Sequence, residues 1–288
     1  MIPSHPGSGP TVLRILLGSQ LRKLREAQGI SRDNAGYRIR ASGSKISRLE
    51  LGRVSFKERD VVDLLDLYGV TDSSERSQLI SLAGEANSPA WWQKYSDVVP
   101  DWFQIYVGLE EAAELIRVYE VQFVPGLLQT EEYARAVIKQ GQPAAAADEV
   151  DRRVALRTRR QQLLSRPAAP RLWAVVDEGA LRRPIGGKAV MQGQIERLMA
   201  ATREPNITLQ VLPFTFGGHA AEGGAFTLMR FPEADMSDVV YIEQLTGALY
   251  LDKREDVERY SEVMERLSVK GTSPDRTQDI LAAILKEL

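Results

Sequence analysis

The stretch Ser42-Gly43-Ser44-Lys45-Ile46-Ser47-Arg48-Leu49-Glu50-Leu51-Gly52-Arg53 decides how the first part of this chain is read. Ile46 and Leu49 lie three residues apart and Gly52 closes the run, which predicts a short helix with one buried stripe. Its other face carries Ser44, Lys45, Ser47 and Arg48, small or cationic donors with no carboxylate before Glu50. Such a set suits a helix that enters the major groove of a duplex. A solvated surface turn has a similar composition, so the surrounding chain has to decide.

Working back from this stretch, Leu13, Leu17, Leu21 and Leu24 form a helical stripe that Thr11 can cap and Gly29 ends. Ser31 caps a second helix over about residues 32–40, which buries little and contains Gly36, a residue that costs ~1 kcal/mol against alanine in a helix. A small residue there lets the following helix cross closely, giving a helix, a tight turn and a helix. Forward of the stretch, Val61, Leu64, Leu65 and Tyr68 precede Gly69, and Leu79, Leu82 and Ala83 mark a fifth helix ending near Ala86. Residues 11–86 are thus expected to form one all-α head of five helices, after a flexible arm over 1–10.

Charge supports a polyanion partner at this end. Residues 1–60 hold 12 Lys+Arg against 5 Asp+Glu, a net of +7, so the remainder carries −9 of the total of −2. A basic end on an acidic body localises the electrostatic footprint. The chain has no cysteine and only two histidines, His5 and His219. Disulfides, thiolate metal sites and cysteine nucleophiles are excluded. No cofactor and no metal are expected. No run of eighteen apolar residues occurs and residues up to Pro10 show no signal pattern, so a cytoplasmic protein without a membrane partner is expected.

The order Leu21-Arg22-Lys23-Leu24-Arg25-Glu26-Ala27-Gln28-Gly29-Ile30-Ser31, followed by Lys45 to Arg53, resembles the phage-repressor (Cro/cI, XRE-like) helix-turn-helix domain. The resemblance implies double-stranded DNA as partner and bases read by Gly43, Ser44 and Arg48, with Lys45 beside them. It implies phosphate contacts from Arg32 and Arg53, and a buried ion pair between Arg25 and Glu50. Two positions depart from the family pattern: Arg40 stands where a small turn residue is usual, and Asp33-Asn34 replace Gln-Glu after the cap.

Residues 87–170 read as a helical, aromatic-rich linker. Six of the twenty aromatics fall between Trp91 and Tyr106; packing is favoured over a base-stacking platform because only Lys94 is interleaved with them. Leu109, Ala112, Ala113, Ile116 and Tyr119 predict an amphipathic helix, and Thr130 caps another that buries Tyr133 and Ile138. A helix over about 150–165 carries Arg152, Arg153, Arg157, Arg159 and Arg160, read as a solvated face paired with acidic neighbours. Residues 171–288 predict a mixed α/β domain, with parallel strands at 172–176 and 207–212 around a helix, further strands at 226–231, 239–245 and 249–251, and two final helices. The overall expectation is an α+β multidomain protein.

The segment YVGLEEAAELIRVYEVQFVPGLLQTEEYARA and the later runs LWAVVDEGALRRPIGG, NITLQVLPFTFGGHAAEGGAF and VVYIEQLTGALY resemble the WhiJ-like group of actinobacterial regulators. That resemblance covers nearly the whole chain and implies an antitoxin-like regulator, with a small partner protein encoded nearby. The loop of Gly217, Gly218, His219 and Glu222 is a candidate ligand or partner loop. It does not open a helix, and Gly186-Gly187-Lys188 lacks the rest of a P-loop, so neither is a phosphate cradle. Asp177, Glu178 and Glu243 near His219 would have to converge for acid–base chemistry, and no catalytic residue is assigned. The reading is a sequence-specific DNA-binding regulator acting as a homodimer on a pseudo-palindrome, its carboxy-terminal domain receiving a partner or effector. The competitors are a sequestering antitoxin with secondary DNA binding and an enzyme fused to a DNA-binding head.

Overall fold

The computed structural model describes residues 9–233 and 236–288. The arm expected over residues 1–10 lies outside the described residues up to Ser8. The chain divides into two compact units, Met1–Gln93 with Gln104–Ala112 and Pro232–Met236, and Lys94–Phe103 with Ala113–Phe231 and Ser237–Leu288.

The first unit is built on five helices, α1 (Pro10–Ala27), α2 (Arg32–Arg38), α3 (Gly43–Glu50), α4 (Glu58–Leu67) and α5 (Ser73–Ala86). Pro10 occupies the first turn of α1, where its missing N–H costs nothing. Thr11, expected as a cap, is instead buried. Leu13, Leu17 and Leu21 of α1, Ile46 and Leu49 of α3, Val61, Leu64 and Leu65 of α4, and Leu79 and Leu82 of α5 close one core. Side chains cap three of the helices: Ser31 accepts from Asn34 N–H, Ser42 from Lys45 N–H and Asp72 from Glu75 N–H.

The stops are equally regular. Gly29, Gly52 and Gly69 take φ of +63°, +65° and +73°, and each sits in a paired hydrogen-bond pattern that closes the preceding helix. Helix α2 closes the same way, with Ala41 N–H to Gly36 O at 2.8 Å and Arg40 N–H to Tyr37 O at 3.1 Å. There the left-handed residue is Arg40, at φ +54°. Two glycines answer to contact. A Cβ on Gly36 would lie 2.7 Å from Ala41 O, and one on Gly18 2.4 Å from Leu49 O, so α2 and α1 approach the two ends of α3 at backbone distance.

Helix α6 (Asp101–Ala112) leads to β1 (Leu115–Glu120). The helix expected through Ile116 and Tyr119 therefore ends at Ala112, and Leu115-Ile116-Arg117-Val118-Tyr119-Glu120 is a strand. It lies between two other strands with Ile116, Val118 and Tyr119 buried, so burial on both faces hid the two-residue period that marks a half-buried strand. Then follow α7 (Glu131–Gly141), α8 (Ala147–Gln161), β2 (Arg171–Asp177), α9 (Glu178–Arg182), α10 (Lys188–Ala201), β3 (Ile207–Leu212), β4 (Phe226–Arg230), β5 (Val239–Gln244), β6 (Gly247–Leu251), α11 (Arg254–Lys270) and α12 (Pro274–Glu287).

The strands form one sheet in the order β3-β2-β1-β4-β5-β6, parallel across β1, β2 and β3 and antiparallel from β1 through β4 to β6. Tyr119, Val175, Leu212, Phe226, Leu228 and Val240 pack with Met264 and Leu267 of α11. The segment between β1 and α7 is clipped by amides. Gln194, fully buried, accepts from Thr130 N–H at 2.7 Å and donates to Leu128 O at 2.9 Å, while Gln129 donates to Val124 O at 2.7 Å.

Candidate nucleic-acid interface

Helix α3 is held from one side. Ile46 and Leu49 are buried, and Glu50 at its last turn is 5% exposed beside Arg25, itself 6% exposed. Arg25 donates from Nε and Nη2 to the two carboxylate oxygens of Glu50, the latter at 3.1 Å, and from Nη1 to Ile30 O at 2.8 Å. The bond to Glu50 raises the pKa of the Arg25 guanidinium, outweighing its desolvation. Arg32 of α2 donates to Glu50 Oε2 at 3.1 Å. One carboxylate therefore joins α1, α2 and α3 and sets the angle at which α3 is presented. Burial pushes the nearby Tyr68 hydroxyl up, and Glu50 adds to that, so Tyr68 stays neutral.

The outer side of α3 is chemically simpler. Ser44 and Arg48 are exposed, and Gly43 presents backbone only. A Cβ at Gly43 would fall 2.2 Å from Asp33 Oδ1, so that backbone sits directly against the start of α2. Lys45 lies on the flank, its ammonium 2.6 Å from Asp60 of α4. Arg53, just past the glycine stop, is exposed, as are Arg40 and Lys57. Among the described residues of the head, Arg40, Arg48, Arg53 and Lys57 are the cations with neither ion pair nor hydrogen bond to their side chains, whereas Arg22, Arg32, Arg38, Lys45, Arg59 and Arg76 are engaged with carboxylates.

Sequence reasoning separated the cations by position along the helices. The structure separates them by partner, and it adds Arg40 and Lys57 to the exposed set. Asp60, fifteen residues from Lys45, carried no local signal of the pairing.

In the second unit, Gly217, Gly218 and Glu222 are exposed, while His219 is half-buried with Nε2 3.0 Å from the hydroxyl of the buried Tyr119. Ala221 N–H donates to His219 Nδ1 at 3.3 Å. His219 thus pins the loop to the end of β1. The carboxylates that an acid–base site would need are engaged separately. Asp177 accepts from Gly179 N–H at 2.8 Å, Glu178 from Phe214 N–H at 2.8 Å, and Glu243 from the Tyr241 hydroxyl at 2.8 Å. Among the described residues, no three His, Asp or Glu side chains gather to hold a metal ion, and no helix is long and apolar enough to cross a membrane.

A five-helix head that locks one face of its third helix and leaves the other cationic defines a helix-turn-helix regulator that binds DNA, and a helix-turn-helix domain model matches residues 16–79. The chain belongs to the family described as "Domain of unknown function (DUF5753)", whose model matches residues 103–283. The two domains in this order are the defining architecture of WhiJ-like regulators. No curated protein and no solved structure gives a match.

Proposed function

We propose that the protein is a sequence-specific transcriptional regulator that reads a pseudo-palindromic operator with α3 of two copies. The observation that carries this is the exposed Arg48, unpaired on a helix whose opposite face is fixed by the Arg25–Glu50–Arg32 cluster. A planar guanidinium so placed suits bidentate contact with guanine O6 and N7, which is worth roughly 1–3 kcal/mol of discrimination. Ser44 adds a less selective bond, Gly43 offers only its backbone, and Lys45 joins them by exchanging Asp60 for the duplex. Arg53 and Arg32 contact phosphate, Arg32 while still bonded to Glu50. A single head of this kind covers roughly 600–1,000 Å², so useful specificity takes two heads on half-sites about one helical turn apart.

Selection of bound duplexes from a random pool by the full chain should enrich a two-fold motif with that spacing. Recovery of duplexes without a shared motif would contradict the reading.

We infer further that the loop of Gly217, Gly218, His219 and Glu222 receives the partner protein or effector. Its support is the exposed tip on a histidine anchor, next to Phe214, which is 60% exposed. Capture of a small protein by the full chain from native lysate, lost in a chain with residues 217–218 and 222 replaced, would support it. Equal capture by both chains would oppose it.

A further inference from the structure

Arg53 and Lys57 are the exposed cations that follow α3, and both sit on the loop of residues 51–57 that joins α3 to α4. A cation on a loop has a fixed position only if the loop backbone is held. At the start of this loop, Gly52 lies so close to α1 that a Cβ there would fall 2.7 Å from Ile15 N. Arg53 N–H then donates to Arg48 O at 2.9 Å, and at the far side Lys57 O accepts from Val61 N–H at 3.1 Å. Between those two bonds, the hydrogen bonds of the loop backbone among the described residues are a pair made with the side chain of Asn87, in the same unit.

That pair is bidentate. Phe56 N–H donates to Asn87 Oδ1 at 3.0 Å, and Asn87 Nδ2 donates back to Phe56 O. A side-chain amide so placed does for one residue what a neighbouring strand does in a sheet, and its orientation is fixed because one end must accept while the other donates. Both partners are anchored. Phe56 is 2% exposed in the core of the head, and Asn87 ends α5, whose Ala83 and Ala86 lie in the same core. Arg53 and Lys57 stand on either side of Phe56, so the clip acts on the stretch of backbone that carries them.

We propose that Asn87 is a positioning residue for DNA binding: its amide holds the backbone at Phe56, and so presents Arg53 and Lys57 together to the phosphates. Its effect runs through the loop alone. Phosphate contacts set affinity and register without reading bases, so Asn87 acts on binding to any duplex and leaves the contribution of Arg48 as it is. Without the clip the loop has to be ordered when DNA binds, and fixing the backbone of one residue anew lowers affinity about tenfold. The inference rests on the reading of Arg53 as a phosphate contact; it adds Lys57 to that contact and names the residue that holds both.

The test is a double-mutant cycle in equilibrium binding of the full chain to the selected operator and to scrambled duplex, at one low salt concentration. Asn87→Ala should weaken both duplexes alike, by about tenfold per head, and keep the preference between them. In a chain that also carries Arg53→Ala and Lys57→Ala, the same substitution should change either affinity by less than about twofold, because no cation on the loop remains to be positioned. An asparagine that only stabilised the head would cost the same in both backgrounds. If Asn87→Ala also lowers the operator preference, the head itself is disturbed, and Asn87→Gln, the same neutral amide on a stem one methylene longer, takes its place in the cycle with the same expectation. Unchanged affinity on removing the Asn87 amide, or an equal loss with and without the two cations, would overturn the proposal and leave the phosphate reading standing. Unchanged affinity on removing the two cations alone would overturn the phosphate reading and the proposal with it. The cycle on scrambled duplex stands whether or not an operator is enriched.

Discussion

Two helices of this protein are rich in cations, and their own chain treats them in opposite ways. On α8, Arg152 pairs with Asp97, Arg153 with Glu149 at 2.8 Å, Arg157 donates to Gln129 at 2.8 Å, and the Arg160 guanidinium lies 5.0 Å from the centre of the Phe103 ring. Around α3, Arg48, Arg53, Arg40 and Lys57 have no such partners, while the cations that have them orient the helix. Counting arginines would therefore have pointed to α8. On the proposed reading, the nucleic-acid surface is marked by cations left without a carboxylate, on an element that other cations hold in place.

The strongest way to break this comparison is to remove the holding side. With Arg25→Met, Glu50 stays buried with only the exposed Arg32 to answer it, a loss on the order of 3–5 kcal/mol. Differential calorimetry should show the head's transition falling or vanishing while the larger unit's transition stays. A head that melts unchanged would mean that the cluster does not set the pose of α3.

A second contrast concerns carboxylates. Glu50 has two guanidinium partners, whereas Glu120 at the end of β1 has no hydrogen bond to its side chain among the described residues. Desolvation pushes its pKa up to about 8 from 4.5, Glu243 adds to that, and Arg157 opposes it. A carboxyl whose pKa is raised by folding contributes its stability below about pH 4.5 and loses it as pH climbs through about 8. The second unit should therefore weaken over that window. Glu120→Gln should stabilise it by about 2–4 kcal/mol at pH 8.5 and by little at pH 4.5. Parallel pH profiles for parent and variant in thermal melts would show that Glu120 is not the group responsible.

Much of the head was legible because its signals are local: Leu13, Leu17 and Leu21 at helical spacing, Ser31 as a cap, Gly29, Gly52 and Gly69 as stops. The strands were legible where β-branched runs such as Ala174-Val175-Val176 stand alone. Strand β1 was not, because Ile116 and Tyr119 also fit a helical stripe begun at Leu109. The candidate site was legible as a helix and as a face. Its sorting was not, since Asp60 meets Lys45 only through the packing of α4. Arg40 lay between. Its position as an exception to the small turn residue was visible, but the left-handed backbone it adopts came from the geometry of the stop.

That exception gives the smallest expected effect. A non-glycine residue at φ +54° costs roughly 1 kcal/mol, part of which glycine returns through its freer unfolded chain. Arg40→Gly should thus raise head stability by about 0.5–1 kcal/mol and, by removing an exposed cation, lower DNA affinity at low salt. A stabilised head with unchanged DNA binding would take Arg40 out of the exposed cationic set that matters.

The most direct test of the account compares Arg48→Ala with Arg53→Ala in equilibrium binding to the selected operator and to scrambled duplex, at several salt concentrations. Arg48→Ala should remove the preference for operator, a loss of roughly 1–3 kcal/mol per head. Arg53→Ala should weaken both duplexes alike and lower the salt slope by about one unit per head. Full operator preference in the Arg48→Ala protein would contradict the placement of α3 as the reading helix.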